Sequence, residues 1–389
     1  MNMNKLCILR DKILTDADNS NFYGYDPYDI KGDGLWSKII YKKYISAPFL
    51  LLEHRFPIET RKILHVKKEI YSNSIALFLM GYLHKKNCKI ETAEKLRSLL
   101  LNCKSKKSNN MAWGYPFDWY SNIKIPKDTP NITSTSLSTL ALIEYQKKYC
   151  EEVSPVFDSV KKFYINELNN LEKNSYFFSY TPLDSRKVYN VNAMAANVFS
   201  GMYLITKEKE NEYIAKELIE KIFENQLETG LWNYGKKEKL IDNYHTGFTI
   251  QFTKKALKDL KIHKYDKNIK LAIETYKKKF FDWEKGVPWF DLRKKSRSDI
   301  VSCAVGIWLF SDEKKFLYAD KILKWTLENM MFENLYFYKE KYWHKKEKNW
   351  FRNNYNKLLS NNQRKIRFIR WGQAWMYFAL STYITNKDI

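Results

Sequence analysis

No run of about 18 uninterrupted apolar residues occurs in this sequence, so no segment has the character of a bilayer-spanning helix. The first fifteen residues carry charges and show neither an apolar stretch nor a small-residue cleavage site, which argues against a secretory leader and predicts a cytoplasmic protein. Glycine and proline are scarce, with 12 and 9 among 389 residues. Hairpin-rich β architecture and long flexible linkers draw on both, so their scarcity favours helices. The five cysteines (Cys7, Cys88, Cys103, Cys150 and Cys303) are an odd, scattered set without a C-x-x-C pair, which argues against a disulfide framework and a structural zinc knuckle. Acidic residues are outnumbered, 44 Asp and Glu against 67 Lys and Arg, for a formal charge of +23. A disordered polycation is excluded, because 44% hydrophobic and 16% aromatic residues suffice for a large core. The charge favours an anionic ligand: a sugar acid, a phosphate, nucleic acid or a lipid headgroup.

What is present is helical periodicity. Apolar residues recur at i, i+3 and i+4 over 62–84, 91–103, 133–148, 156–172, 192–207, 210–226, 246–260, 267–281, 298–310, 313–331 and 372–385, which predicts eleven helices. A segment at 35–45 supplies a twelfth, and the set groups into about six pairs. The links repeat in kind: aromatic loops at 113–116, 176–180, 231–235, 287–290 and 335–338 each precede a helix whose first residues are small or polar. A degenerate period of roughly 50 to 60 residues with two helices per unit marks a helical repeat array. The expected fold is all-α, an (α/α)6 toroid formed by residues 1–389 as one domain with a central cleft; an open solenoid is the alternative. In the closed form, alternate helices make an inner barrel whose N-terminal ends converge on one face. Residues 335–369, basic, aromatic and without clean periodicity, read as a lid or long loop, or as a solvated surface excursion.

The polar helix starts hold the candidate chemistry. The densest is Asp242-Asn-Tyr-His-Thr-Gly-Phe248, where Tyr244 and His245 are adjacent proton-transfer groups and Asp242 stands just before them. A histidine in the first turn of a helix sits in a positive field that favours its neutral, basic form. Its blander reading is a helix cap. Asn190 and Asn192 open another helix and serve either as N-caps or as amides sharing a proton with an anionic oxygen. Arg370 beside Trp371 offers a guanidinium fork for a carboxylate next to a flat apolar surface on which a sugar ring stacks; an arginine paired with a carboxylate over a packed tryptophan is the alternative. Trp113, Asp118, Trp119, Trp232 and the turn residues Asp26 and Asp29 complete the set of hydroxyl acceptors and stacking surfaces. No glycine-rich phosphate loop, dinucleotide fingerprint, H-E-x-x-H or G-x-S-x-G occurs, and a zinc triad of Asp299, Cys303 and His344 follows no spacing rule, so no metal and no cofactor is expected. Basic runs such as Lys104-Ser-Lys-Lys107 are short and belong to no nucleic-acid module, and nucleic acid is set aside as a partner.

Taken together, Gly24-Tyr-Asp-Pro-Tyr-Asp29, Trp113-Gly-Tyr-Pro-Phe-Asp118, residues 226–234, Asp242-Asn-Tyr-His-Thr-Gly-Phe248 and Arg370-Trp-Gly-Gln-Ala-Trp-Met376 resemble the (α/α) toroid proteins encoded among bacterial surface-polysaccharide genes. Those proteins are loosely related to the prenyltransferase and squalene-cyclase repeat. The resemblance spans nearly the whole chain and implies a toroid and a polysaccharide context. Likeness to terpenoid cyclases is architectural, since their acidic D-x-D-D and D-D-x-x-D motifs are absent. Toroidal polysaccharide lyases are similar in using Asn, His, Tyr and Arg at the cleft, roles that Asn192, His245, Tyr244 and Arg370 would fill. The expected activity is proton abstraction at C5 of a uronate in an anionic polysaccharide or lipid-linked glycan, leading to elimination or epimerisation. A glycoside hydrolase using an Asp pair is one alternative. A non-catalytic glycan-binding toroid, docked to membrane-associated glycosyltransferases and peripheral at the inner membrane, is another.

Overall fold

The computed structural model describes residues 2–33, 52–120, 123–150, 154–292, 295–343 and 365–388. In chain order the helices begin with α1 (Met3–Asn19), α2 (Asp29–Gly32), α3 (Pro57–Ile63), α4 (Ser72–Leu83) and α5 (Ile90–Asn102). Then come α6 (Ile132–Tyr149), α7 (Ser154–Lys162, running into a π turn at Phe163–Glu167), α8 (Tyr189–Thr206), α9 (Lys209–Glu224) and α10 (Asn243–Asp259). The last are α11 (Asp266–Phe280), α12 (Ile300–Asp312), α13 (Phe316–Asn329) and, after a π turn at Ile369–Ala374, α14 (Trp375–Lys387). Strands are two or three residues long, in antiparallel pairs: Trp119–Tyr120 with Lys124–Ile125, Phe281–Asp282 with Val287–Pro288, Met331–Phe332 with Tyr336–Phe337, and Arg297–Asp299 with Glu340–Tyr342. No helix of the described residues is long and apolar enough to cross a membrane. The helix expected at 35–45 lies outside the described residues, as does most of the proposed lid; its described ends hold the Tyr336–Phe337 and Glu340–Tyr342 strands and the bridge of Phe368 to Tyr25.

The chain divides into two compact units, each discontinuous in sequence. The first comprises Met1–Ser74, Pro116–Lys127 and Phe281–Ile389, and the second Ile75–Tyr115 and Asp128–Phe280. In the second unit, α8 is buried without a break from Tyr189 to Met202, and α6 and α10 are enclosed nearly as fully. By contrast α9 buries Asn211, Ile214, Ala215, Leu218, Ile219, Ile222 and Phe223, a single stripe at helical spacing, with Lys and Glu elsewhere. A helix apolar all round must be covered on every side, whereas a striped one covers others and faces water. Accordingly α8 packs against α6, α9 and α10. The first unit repeats this, α12 and α14 being enclosed and α13 and α1 striped, with α12 against α13 and α14, and α1 against α14.

Two of the differences from the periodicity share one physical reason. The helix read at 62–84 is two, because α3 stops at His65, whose φ of 55° is left-handed; His65 N bonds to Lys62 O and Val66 N to Arg61 O. That pair of bonds is a Schellman stop, usually signalled by glycine. The α1 helix, not read from the sequence at all, ends likewise at Asn21, and its buried stripe of Leu6, Arg10, Ile13 and Ala17 contains an arginine that obscures it. Lys261 and Lys314 end α10 and α12 by the same two bonds. A left-handed residue with a Cβ costs roughly 1 kcal/mol. Lys261→Gly and Lys314→Gly are therefore each expected to raise stability by up to about 1 kcal/mol, less what glycine gains in the unfolded chain, as a higher urea midpoint at unchanged slope.

Candidate functional site

The loop between α9 and α10 is organised by its tryptophan. Trp232 is almost wholly buried, and its Nε1–H donates to Ile222 O at 2.8 Å, a carbonyl of the last turn of α9 that otherwise accepts only the longer bond from Asn225 N at 3.3 Å. Trp113 does the same for α5, donating to Leu100 O at 2.8 Å while fully buried. The recurring aromatic loop thus has a packing cause, and Trp113, read from the sequence as a sugar-stacking surface, is a core residue that closes the helix before it.

Beyond Trp232 the chain enters α10 through Asp242, the N-cap. One carboxylate oxygen, Oδ1, accepts the backbone N–H of His245 at 3.1 Å, and Oδ2 lies 2.7 Å from the same residue's Nδ1. The Asp242 side chain is wholly buried, whereas that of His245 is 24% exposed. With the carboxylate ionised, Nδ1 carries the ring proton and donates it, which leaves Nε2 as the acceptor. The His245 ring packs close to two phenols, its centroid 4.5 Å from that of Tyr234 and 4.2 Å from that of Tyr244. Asp242, read from the sequence as a substrate contact, orients the histidine and caps the helix.

Asn190, Trp232, Asn233, Tyr234, Asp242, His245, Thr246 and Thr249 line one small, narrow recess in the second unit. Burial pushes the Tyr234 phenol well above its usual range, so it remains a proton donor at neutral pH. Asn190 is buried, and its Oδ1 has no partner within the chain. Neither Asn190 nor Asn192 is the N-cap of α8, a position held by Val188. Asn192 instead staples the preceding loop: its Oδ1 accepts Phe178 N at 2.8 Å and its Nδ2 donates to Phe178 O and Val188 O, both at 3.0 Å. With its amide committed to backbone inside the core, Asn192 lies apart from the recess to which Asn190 contributes. Tyr234 was legible in sequence as part of an aromatic loop, and nothing there distinguished it from the other loop aromatics. Its position beside His245 follows from the bond of its N to Leu240 O at 2.7 Å and the pairing of Gly235 with Val188. A Cβ on Gly235 would lie 2.7 Å from Lys187 O, so only glycine permits that approach.

Asp26, Arg370 and Trp371 gather in the first unit, in a buried network. Asp26 Oδ2 pairs with Arg370 Nε at 2.5 Å, and the Arg370 guanidinium lies 5.0 Å from the Trp371 ring. Trp371 Nε1 donates to both oxygens of Asp299, at 3.1 and 3.2 Å, and Asp299 caps α12 through Val301 N. Arg370 and Trp371 lie in the π turn before α14, a wide turn of the sort frequent at functional positions. Deeper still, Arg61 is fully buried and bridges Asp29, at 3.1 Å, and Glu53, at 2.7 Å. Burial raises the Asp29 carboxyl to about 7, against the opposing pull of Arg61. Arg370 therefore stands as the second reading of the sequence had it, paired with a carboxylate over a packed tryptophan. Asp118 is held by its own hairpin, through Lys127 N at 2.7 Å and Lys124 Nζ at 2.6 Å, with Trp119 half-buried beside it. Among the described residues no group of three or more His, Cys, Asp or Glu side chains is placed to hold a metal ion. His344 of the discounted zinc triad lies outside the described residues.

The sequence matches no protein-family model and none of the curated proteins. Solved structures do match. The cellobiose 2-epimerase of Bacillus thermoamylovorans aligns over 82% of this chain and 88% of its own, at 12% identity and a TM-score of 0.61. The GH76 α-mannanase of Bacteroides thetaiotaomicron aligns over 82% and 87%, at 13% identity and a TM-score of 0.59. A family 88 glycosyl hydrolase of Bacteroides vulgatus aligns over 88% and 98%, at 12% identity and a TM-score of 0.53. At such identities the likeness is one of fold, and the fold of this chain is the (α/α)6 toroid.

Proposed function

We propose that this chain is a carbohydrate-active enzyme that removes a proton from a sugar carbon, with His245 as the base. The observation that carries the reading is the couple of buried Asp242 and partly exposed His245, 2.7 Å apart, at a recess shared with Tyr234 and Asn190. Asp242 holds Nδ1–H and stabilises the imidazolium that forms when Nε2 takes the proton. The carbon proton must be acidified by a neighbouring carboxylate or carbonyl, which suits a uronate, and the +23 charge of the chain suits a polyanionic glycan of surface-polysaccharide metabolism. In elimination the C–H pair becomes the new double bond, the C–O bond breaks, and the Tyr234 phenol gives its proton to the departing oxygen. In epimerisation no C–O bond breaks and a proton returns to the opposite face. Asn190 Oδ1, unpartnered in the chain, accepts a sugar hydroxyl in either case. The cellobiose 2-epimerase among the similar structures lends the reading support, since inverting a carbon that bears hydrogen is this kind of chemistry.

A hydrolase with two carboxylates fits less well. Of the residues lining the recess Asp242 alone carries a carboxyl, and both its oxygens face His245. The test is incubation of the purified chain in deuterated water with uronate-bearing polysaccharides and neutral disaccharides, followed by NMR and by absorbance of unsaturated uronate. Solvent deuterium at a sugar carbon, or the new absorbance, is the expected result. Bound sugar with neither signal across the panel rejects proton abstraction.

A further inference from the structure

Residues 52–68 expose an unusual combination of side chains. Their inner side is anchored: Glu53, Pro57, Thr60, Arg61, Leu64 and Val66 are buried, with Arg61 bonded to Glu53, Asp29 and two backbone carbonyls, and with Leu64 and Val66 packed against Ile30. Four large apolar residues of the stretch are exposed, Leu52 at 50%, Phe56 at 51%, Ile58 at 40% and Ile63 at 70%. Arg55, Lys62, His65, Lys67 and Lys68 are exposed in the same stretch, against one exposed acid, Glu59. Scattered surface leucines need no explanation; four large apolar side chains within twelve residues, interleaved with cations on a backbone pinned from beneath, do.

We propose that this segment docks the protein on an anionic lipid bilayer, with Phe56 and Ile63, about two helical turns apart on one side, entering the headgroup–acyl boundary and Arg55, Lys62, Lys67 and Lys68 meeting the lipid charge. Apolar anchors flanked by Lys and Arg are what an interfacial site requires, because burial of the anchors and attraction to anionic headgroups add. Charge selects this occupant over a second copy of the chain: a two-fold dimer would place the basic face against itself, on a protein already at +23. The inference is independent of the recess around His245.

The test is co-sedimentation of the full chain with vesicles of phosphatidylcholine alone and of phosphatidylcholine with a minor share of phosphatidylglycerol. A protein of this charge adsorbs to anionic vesicles to some extent through any basic surface, so the decisive variant keeps every charge. Phe56→Ser/Ile63→Ser is expected to lower partitioning to the anionic vesicles at least tenfold, while Ile8→Ser/Leu317→Ser, which removes comparably exposed side chains elsewhere, leaves it unchanged. Arg55→Gln/Lys62→Gln should cost about fivefold per charge on the anionic vesicles and leave binding to phosphatidylcholine alone unchanged. Far-UV circular dichroism and thermal midpoints confirm that each variant is folded. Equal binding by the Phe56/Ile63 variant and its control would overturn the proposal, as would wild-type protein that ignores anionic vesicles. So would a wild-type dimer that Ile63→Ser converts to monomer without any vesicle binding, since that assigns the face to a second copy.

Discussion

His245→Gln is expected to lower turnover by about 10²- to 10⁴-fold, the usual contribution of a positioned acid–base group, with helix content and thermal midpoint close to wild type. The two effects separate because the N-cap bond runs to the backbone N–H of His245, so the fold does not need the ring. Asp242→Asn is the sharper companion. Asparagine caps helices about as well as aspartate, so stability should change by less than about 1 kcal/mol. Its amide, however, turns an N–H toward Nδ1, which moves the ring proton to Nε2 and removes the base. Turnover should therefore fall nearly as far as in His245→Gln. Steady-state rates on whichever sugar exchanges deuterium, set beside urea denaturation, check both; an Asp242→Asn enzyme with wild-type turnover would show that the couple serves α10 alone.

Arg61→Met is expected to destabilise the protein by about 3–5 kcal/mol, the typical result of removing one partner from a buried ion network. The guanidinium is fully buried, and its donors satisfy Asp29, Glu53 and two backbone carbonyls. Without it buried Glu53 loses the guanidinium that faces it at 2.7 Å, and Asp29, already raised to about 7 by burial, is pushed further toward its protonated form. Neutralising the whole cluster in Arg61→Met/Glu53→Gln/Asp29→Asn should recover part of the loss, because desolvation of the charges disappears with the charges. A loss below about 1 kcal/mol for the single variant, read from denaturant midpoints, would mean that packing alone holds this part of the first unit.

Function and position parted company at the polar helix starts. Asn131, Asp242 and Asp299 each accept a first-turn N–H, so much of the polarity that marked those starts is capping chemistry. Asp242 adds to this a second oxygen bonded to a ring, and no spacing rule distinguishes it from Asp299, whose carboxylate instead holds Trp371. Arg61 gave no signal at all: it stands between a threonine and a lysine in a short helix, and its partners Asp29 and Glu53 lie 32 and 8 residues away. Glycine scarcity, which pointed correctly to helices, also concealed where they stop, since His65 and Asn21 hold left-handed positions that glycine usually marks.

The alternation of fully enclosed and striped helices was written in the chain, because burial on all sides keeps charged residues out of α8 and out of α12 up to its last residue, while one-sided burial leaves the 3.6-residue period visible in α9 and α11. That is a local rule, and it carried the helix pairs, the repeat and the fold class. The partner of each polar side chain is a long-range matter, set by which loop a packed helix brings within 3 Å. Packing placed Tyr234 beside His245, turned Trp113 and Asn192 inward, and closed Asp26 on Arg370 across 344 residues.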